Sequence, residues 1–185
     1  MKQRDGMFGL EFVKEKLLQA DKNIALEFPG ERFEVFIVGG AALMLLGHND
    51  KMTNDIDVLY ISDKKICSIL FEGEINQRVT CTTDSFSTEY DKRATKLDLG
   101  QTRAIDFYIL SFEDIVSSKL YAGRNKDMQD LNHPNVFKLI NWDVLDEIIY
   151  SEMKMDAMNE RRWKDLVYTY EKYKEGYYEW KKTKI

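Results

Sequence analysis

The sequence predicts an α+β fold, in which a mixed β-sheet is flanked by helices and followed by a helical C-terminal region. Apolar segments rich in β-branched and aromatic residues predict strands over residues 33–40, 55–61 and 102–110. Amphipathic helical patterns separate these strands, an order typical of α+β proteins. Because the periodicity is helical only after the last strand, we predict a core of residues 1–123 and a helical region of residues 124–185.

The other elements of the first half each have a local signal. Apolar residues at helical spacing predict an amphipathic helix over residues 9–27. Gly39 and Gly40 end the first strand, and the good helix formers after them predict a short helix that Gly47 closes as a C-cap glycine. A further helix is predicted over residues 64–77.

The second half is predicted to be helical beyond its strand, whereas residues 79–101 favour no single element. Ser111 and Asp114 resemble a capping box, with Asp in place of the usual Glu or Gln, and predict a helix over residues 112–124. Further helices are predicted over residues 126–133, 141–154 and 159–180.

Composition excludes several classes of protein. The chain has 185 residues and a net charge of −5, and it contains no apolar stretch of the roughly 20 residues that a membrane helix needs. The N-terminus lacks a signal-peptide pattern, and the two cysteines, Cys67 and Cys81, are too few for a disulfide framework. We therefore expect a cytoplasmic protein with free thiols and no membrane partner.

Charge is distributed unevenly along this acidic chain. The net charge argues against a surface-wide nucleic-acid interface, but residues 161–185 carry eight Lys/Arg against four Asp/Glu. Two hypotheses remain open for this basic, aromatic-rich helix. It contacts RNA, or its aromatic residues form an ordinary packed face opposite a solvated one.

Asp55 and Asp57 form an Asp-x-Asp pair at the start of the second predicted strand. Side chains two residues apart on a strand point to the same face, so both carboxylates project together. At about 4 Å and an effective dielectric constant of about 20, two like charges repel by roughly 4 kcal/mol, and a divalent cation reverses that cost. The pair therefore predicts a magnesium site, with a solvated strand end as the alternative.

Asp106 is the third candidate acid, because it interrupts an apolar strand between Ile105 and Phe107. If its strand lies beside the one that carries Asp55 and Asp57, three carboxylates meet on one surface. Such a set holds two Mg²⁺ ions that clamp nucleotide phosphates and activate an acceptor hydroxyl. Repulsion among the three acids also predicts that neutralising Asp106 raises the melting temperature of the metal-free protein.

This order of motifs resembles the polymerase-β-like nucleotidyltransferase superfamily. Within it, the chain resembles the AbiEii-like abortive-infection toxins and related bacterial nucleotidyltransferase-like proteins. Their pattern of a Gly-Gly-(x)-Ala helix followed by Thr-x-Asp-Ile-Asp is met by Gly39, Gly40, Ala42, Thr53, Asp55, Ile56 and Asp57. A second stretch, SKLYAGRNKDMQDL (118–131), resembles their K-L-x-A-x-R-x-x-D-x-x-D-L signature, with polar positions at Lys119, Arg124, Asp127 and Asp130.

The resemblance implies a role for each matched residue. Asp55 and Asp57 would bind the catalytic metals, and Asp106 would aid metal binding and deprotonate the acceptor. Gly39 and Gly40 would lie against the triphosphate of the substrate NTP. Lys119 would neutralise phosphate charge or act near the acceptor, oriented by Asp127 or Asp130; as an alternative, these three residues form an exposed ion-pair ladder. The nucleotide-binding residues would be Gly39, Gly40, Thr53, Lys119, Arg124, Asp127 and Asp130.

Three departures from the family pattern concern the nucleotide site. The 14 residues between Gly40 and Asp55 make a long spacing. Ala41 stands where many members carry a serine, so a hydroxyl contact to phosphate is absent. Lys51 stands near a position where relatives often carry arginine, and a lysine provides a point charge without bidentate geometry.

Two functions are therefore open. The first is an Mg²⁺-dependent nucleotidyltransferase that moves an NMP from an NTP to a hydroxyl of RNA, protein or a small molecule. The resemblance implies that this enzyme would act as a toxin of a toxin–antitoxin or phage-defence system, with an antitoxin as its partner. The second is a catalytically inactive module of the same fold, used for partner or nucleotide binding.

Overall fold

The computed structural model describes residues 9–47, 53, 55–59, 61, 63–72, 74–77, 85–157 and 159–183. The chain divides into two compact units, the first formed by residues 1–81 and 94–110 and the second by residues 82–93 and 111–185. The predicted α+β class, with a small mixed sheet and a helical C-terminal region, is confirmed. The predicted boundary after residue 123 remains a prediction about domain organisation.

The first unit contains the strands and the first helices of the chain. Its elements are α1 (Leu10–Glu27), β1 (Phe33–Ile37), α2 (Gly39–Leu45), β2 (Ile56–Asp57), a 3₁₀ turn (Lys64–Ile66), α3 (Cys67–Leu70), β3 (Ile75–Asn76), β4 (Thr95–Lys96) and β5 (Ile105–Ile109).

Strand β1 is an edge strand of a three-stranded sheet with the order β1-β5-β4. It pairs in parallel with β5, so that Glu34 lies opposite Asp106, and β4 runs antiparallel on the far side of β5. On its other side, an antiparallel bridge joins Ile37 to Val58 just after β2, and β3 runs parallel to β2. Burial alternates along β1 and β5, as expected when one face of a sheet packs on a core.

Helix α1 supplies an apolar stripe to the first unit. Val13, Leu17 and Ile24 recur at helical spacing and are fully buried, and α1 contacts α2 and α3. The buried Asp21 on α1 accepts backbone hydrogen bonds of 2.8–3.0 Å from residues 103–105. Because a buried carboxylate needs such donors, this contact fixes the chain at the start of β5.

The helix predicted over residues 64–77 is wrong in its second part. The 3₁₀ turn begins after Asp63, whose side chain accepts a hydrogen bond from the Lys65 amide, and α3 already ends at Leu70. Residues Ile75 and Asn76 form β3 instead. Pairing with β2 buries Ile75 in the core, and this tertiary gain overrides the local helical pattern.

The second unit is helical throughout its described elements. These are α4 (Tyr90–Arg93), α5 (Phe112–Ala122), α6 (Asn125–Leu131), α7 (Pro134–Leu139), α8 (Trp142–Glu147), a π-helical turn (Ile148–Glu152), α9 (Met153–Asp156) and α10 (Glu160–Lys182). No helix within the described part of the chain combines the length and apolar character needed to cross a membrane.

The predicted cap of α5 is confirmed. The Ser111 hydroxyl accepts a hydrogen bond from the Asp114 amide at 3.1 Å and donates one to the Asp114 carboxylate at 2.6 Å. The helix ends at Gly123, whose φ of +59° is left-handed, a conformation that glycine adopts without steric cost.

The packed-face interpretation of α10 is confirmed for Leu166, Tyr170 and Tyr173, which are buried. The Tyr173 hydroxyl donates a 2.8 Å hydrogen bond to the Leu131 carbonyl. Contact between RNA and the exposed cations of α10 remains a prediction.

Candidate active site

The strongest site feature in the first unit is the close approach of the Asp57 side chain to the backbone of Gly39. A Cβ atom at residue 39 would lie 2.9 Å from Asp57 Oδ2, closer than such atoms approach in proteins. Gly39 also has a φ of +67°, which disfavours other residues. The Val38 amide donates a 2.9 Å hydrogen bond to the Asp57 carbonyl, so the strand with the acids is tied to the Gly-Gly turn.

Gly40 and Thr53 form a second close contact at the same turn. A Cβ atom at residue 40 would lie 3.2 Å from Thr53 Oγ1. That hydroxyl donates a 2.9 Å hydrogen bond to the Asp55 carbonyl, which orders the backbone just before β2. The structure therefore brings together the matched residues Gly39, Gly40, Thr53, Asp55 and Asp57.

Asp106 is not brought to this group, contrary to the prediction of three converging carboxylates. It lies opposite Glu34 near the start of β1, whereas the Asp57 backbone lies opposite Val38, just past the end of β1. The offset from residue 34 to residue 38 is four positions, about 13 Å along the strand at about 3.3 Å per residue. Asp106 is also two strands away from Asp57, so the two side chains cannot share a metal ion.

Two cations hold Asp106 at its own end of the sheet. Arg32 forms an ion pair with the carboxylate, with its Nε 3.3 Å from Oδ2, and Lys96 Nζ lies 2.8 Å from Oδ1. Hydrogen bonds from Arg32 and Lys96 hold the pKa of Asp106 below its ordinary value. The ion pairs of Asp106 with Arg32 and Lys96 contradict the expectation that its charge is repelled by Asp55 and Asp57.

The second matched stretch forms a buried ion cluster in the second unit. Lys119 Nζ donates hydrogen bonds to Asp127 at 2.9 Å and to Asp130 at 3.2 Å, and the three residues are at most 9% exposed. Arg124, whose side chain is largely exposed, donates a 2.6 Å hydrogen bond to Asp127. The alternative of an exposed ion-pair ladder is thus wrong for these residues, because the turn between α5 and α6 folds them together.

The pKa of Asp127 reflects the opposing effects of burial and of the neighbouring cations in this cluster. Burial raises the pKa of Asp127, but the hydrogen bond from Arg124 and the positive charge of Lys119 outweigh it, so the pKa lies below its ordinary value. Asp127 is therefore ionised at neutral pH. Together, Asp127 and Asp130 fix the Lys119 ammonium group in one position.

A second buried ion cluster was missed by the sequence analysis. Arg93 donates two hydrogen bonds of 2.8–3.0 Å to Asp114 and two of 2.8 Å to Glu152, and Asp114 is fully buried. The cluster joins α4, α5 and the π-helical turn within the second unit. Arg93 lies in the stretch that favoured no element, and no local pattern signals partners 21 and 59 residues away.

The residues of the first unit fit one metal ion carried with a nucleotide, but not the predicted two-metal set. Among the described side chains, no group of three His, Cys, Asp or Glu residues is arranged to hold a metal ion. Mg²⁺ is commonly bound through one or two carboxylates together with substrate phosphates and waters. Asp55 and Asp57 supply that number, and Gly39 leaves room for the Asp57 carboxylate.

A helix-flanked mixed sheet, with an Asp-x-Asp strand set against a Gly-Gly turn, defines a nucleotidyltransferase-like domain. Residues 15–178 match the family described as "nucleotidyltransferase of unknown function (DUF6036)", and the protein belongs to this family. Neither a curated protein nor a solved structure matches the chain. The more specific resemblance to AbiEii-like toxins stays a prediction, as does the role of Lys51 and the state of Cys81, which lie outside the described residues.

Proposed function

We propose that this protein is an Mg²⁺-dependent nucleotidyltransferase that transfers an NMP from an NTP to a hydroxyl acceptor. The observation that carries the proposal is the Asp57 carboxylate seated against Gly39, within a chain that belongs to a nucleotidyltransferase family. Glycine at a turn lets a ligand approach the backbone closely. A carboxylate at that position lies where a metal-bound triphosphate would meet the turn.

Different residues of the first unit are proposed to bind the metal ion and the triphosphate. Asp55 and Asp57 would hold Mg²⁺, while Gly39 and Gly40 would lie against the triphosphate. Thr53 orders the backbone before the acids through its hydrogen bond to the Asp55 carbonyl. The bound ion would neutralise phosphate charge as the acceptor attacks. Catalysis by these residues then rests on positioning, and no covalent intermediate with the chain is needed.

Lys119 is proposed for phosphate neutralisation on the strength of its sequence motif. Its ammonium group donates hydrogen bonds to Asp127 and Asp130. If Lys119 takes part in the reaction, its charge is therefore already held in position. Arg124 shares Asp127 as a partner and keeps an exposed guanidinium group. We propose Arg124 as a second nucleotide-binding cation because it belongs to the same sequence motif as Lys119.

Label transfer tests the proposal directly. The protein is incubated with each α-labelled NTP, Mg²⁺ and either total RNA or a protein extract, and transferred label is identified by class of acceptor. Wild type and Asp106→Asn are expected to transfer label, whereas Asp57→Asn is not. Transfer that survives Asp57→Asn, or that is lost only in Asp106→Asn, would reject the two-carboxylate site.

The second candidate is a catalytically inactive module of the same fold. The separation of Asp106 from Asp57 favours it, because Asp106 is not placed beside the acid pair to deprotonate the acceptor. This candidate predicts that an NTP binds without transfer of label to any acceptor. It also predicts that the biological effect survives Asp55→Asn and Asp57→Asn.

The likeness to AbiEii-like toxins adds a biological proposal. We propose that the transferase inhibits growth of its bacterial host and is restrained by an antitoxin partner. Induced expression of the chain alone should slow growth, and Asp57→Asn should remove this effect at equal protein level. Equal toxicity of the two proteins would separate any growth effect from nucleotidyl transfer.

A further inference from the structure

Asn76 lies beside Asp57 on the neighbouring strand. The parallel pairing of β2 with β3 sets these two residues directly opposite each other, and the Val58 amide donates a 2.9 Å hydrogen bond to the Asn76 carbonyl. Paired residues of adjacent strands point to the same face, about 4.8 Å apart. The Asn76 carboxamide and the Asp57 carboxylate therefore share one face of the sheet.

This face is the polar side of the sheet at β2 and β3. Ile56 and Val58, which flank Asp57, are fully buried, and Ile75 on the neighbouring strand is 3% exposed. These three side chains point to the core. Asp57 and Asn76 are only partly buried. Asn76 is therefore directed to the candidate active site and not to the core.

An amide is chemically suited to that position. Its oxygen accepts hydrogen bonds or ligates hard cations such as Mg²⁺ without adding charge, and its NH₂ group donates to phosphate oxygens. A third carboxylate beside Asp55 and Asp57 would increase their mutual repulsion. A neutral neighbour keeps that repulsion at the level of one acid pair.

We propose that Asn76 is a positioning residue of the metal–triphosphate site, where it occupies the place next to Asp57 with a neutral amide. This inference rests on the proposed function. It goes beyond that function because the family motifs do not include Asn76, and it makes a prediction about metal binding by the nucleotide-free chain. Replacing the amide by a carboxylate should complete a three-acid site.

The test measures Mn²⁺ binding to the full chain by electron paramagnetic resonance, without nucleotide. Asn76→Asp is expected to bind Mn²⁺ about tenfold more tightly than wild type, because affinity follows the number of charged ligands. Asn76→Leu is expected to bind about tenfold more weakly. Gln101→Glu, which adds the same charge at an exposed position of the first unit, controls for long-range electrostatics and should match wild type.

The outcomes distinguish a failure of the role proposed for Asn76 from a failure of the proposed metal site. If Asp57→Asn loses Mn²⁺ binding and both Asn76 variants match wild type, Asn76 is structural only and the inference is rejected, while the proposed metal site stands. If Asp57→Asn binds Mn²⁺ as wild type does, the proposed metal site itself fails. Thermal unfolding of each variant establishes that Asn76→Leu is folded, and a conservative Asn76→Ser variant replaces it if it is not.

Discussion

The Asp57 carboxylate occupies the space that a side chain at residue 39 would need. A Cβ atom added to Gly39 would lie 2.9 Å from Asp57 Oδ2, and both residues are held in place by the hydrogen bond between the Val38 amide and the Asp57 carbonyl. Glycine at this position therefore has two separate functions. It permits a φ of +67°, and it makes room for the acid.

Gly39→Ala is expected to have two effects, one on the position of the Asp57 carboxylate and one on the conformation of the turn. The added methyl group must displace the Asp57 carboxylate, so we expect Mn²⁺ affinity to fall about tenfold or more, in line with the loss of a positioned ligand. The positive φ adds a stability cost of about 1 kcal/mol. Mn²⁺ titration and thermal unfolding measure the two effects separately.

The chain provides a matched control for that substitution. Gly30 and Gly47 also have positive φ values, +86° and +74°, but a Cβ atom at either would meet nothing within 4 Å. Gly30→Ala and Gly47→Ala should lose similar stability and keep full metal affinity. Equal loss of affinity in all three variants would show that the contact with Asp57 is irrelevant.

Asp106→Asn is expected to lower stability, because the substitution removes one ion pair with Arg32 and another with Lys96. These pairs are partly exposed, so we expect the melting temperature to fall by only about 2–4 °C. The lowered pKa of Asp106 means that this contribution is present above about pH 4 and is lost as the pH falls through the folded-state pKa. The difference in melting temperature between Asp106→Asn and wild type should therefore be smaller at pH 3 than at pH 7. A rise in melting temperature on substitution at pH 7 would restore the repulsion hypothesis.

Nucleotide binding should stabilise the fold by mass action. With Mg²⁺ and an NTP at one hundred times its Kd, the expected gain is about 2.7 kcal/mol, or about 5–10 °C for a chain of this size. Asp57→Asn should remove the shift, measured against the melting temperature of the same variant without ligand. The absence of a shift with each of the four NTPs would count against a nucleotide site.

Local patterns predicted the acid pair and failed for the third acid, for a physical reason. Alternation along a strand is a local property, and it correctly separates Asp106 from its buried neighbours Ile105 and Phe107. The position of a residue relative to the neighbouring strands depends on the pairing register. That register is set by tertiary contacts and not by the local sequence. The pairing of Asp106 with Glu34 leaves no signal in the sequence near either residue.

The same limit explains the other differences between sequence and structure. Lys119 meets Asp127 and Asp130 across spacings of 8 and 11 residues, because Gly123 turns the chain between two helices. A single-helix pattern cannot represent such contacts. The cap at Ser111, in contrast, depends on residues within one helical turn and was predictable.

Lys119→Met should be strongly destabilising. It leaves the carboxylates of Asp127 and Asp130 buried without their shared cation, at an expected cost of about 3–5 kcal/mol. Asp127→Asn in the same protein should recover part of that loss, and urea denaturation of the single and double variants gives the coupling energy. Lys164→Met, which breaks the exposed ion pair with Glu160, should leave the free energy of unfolding close to that of wild type. An equally small effect at Lys119 would mean that the cluster is hydrated in solution.

Tyr173→Phe tests whether the aromatic face of α10 is structural. The Tyr173 ring is 2% exposed, and its hydroxyl donates to the Leu131 carbonyl, so removing the hydroxyl leaves a buried acceptor without its donor at a cost of about 1–3 kcal/mol. Tyr168→Phe, on the same helix but 67% exposed, should leave the free energy of unfolding unchanged within about 0.5 kcal/mol. If the aromatic residues of α10 served RNA instead of packing, Tyr168→Phe would weaken RNA binding and Tyr173→Phe would leave stability unaltered.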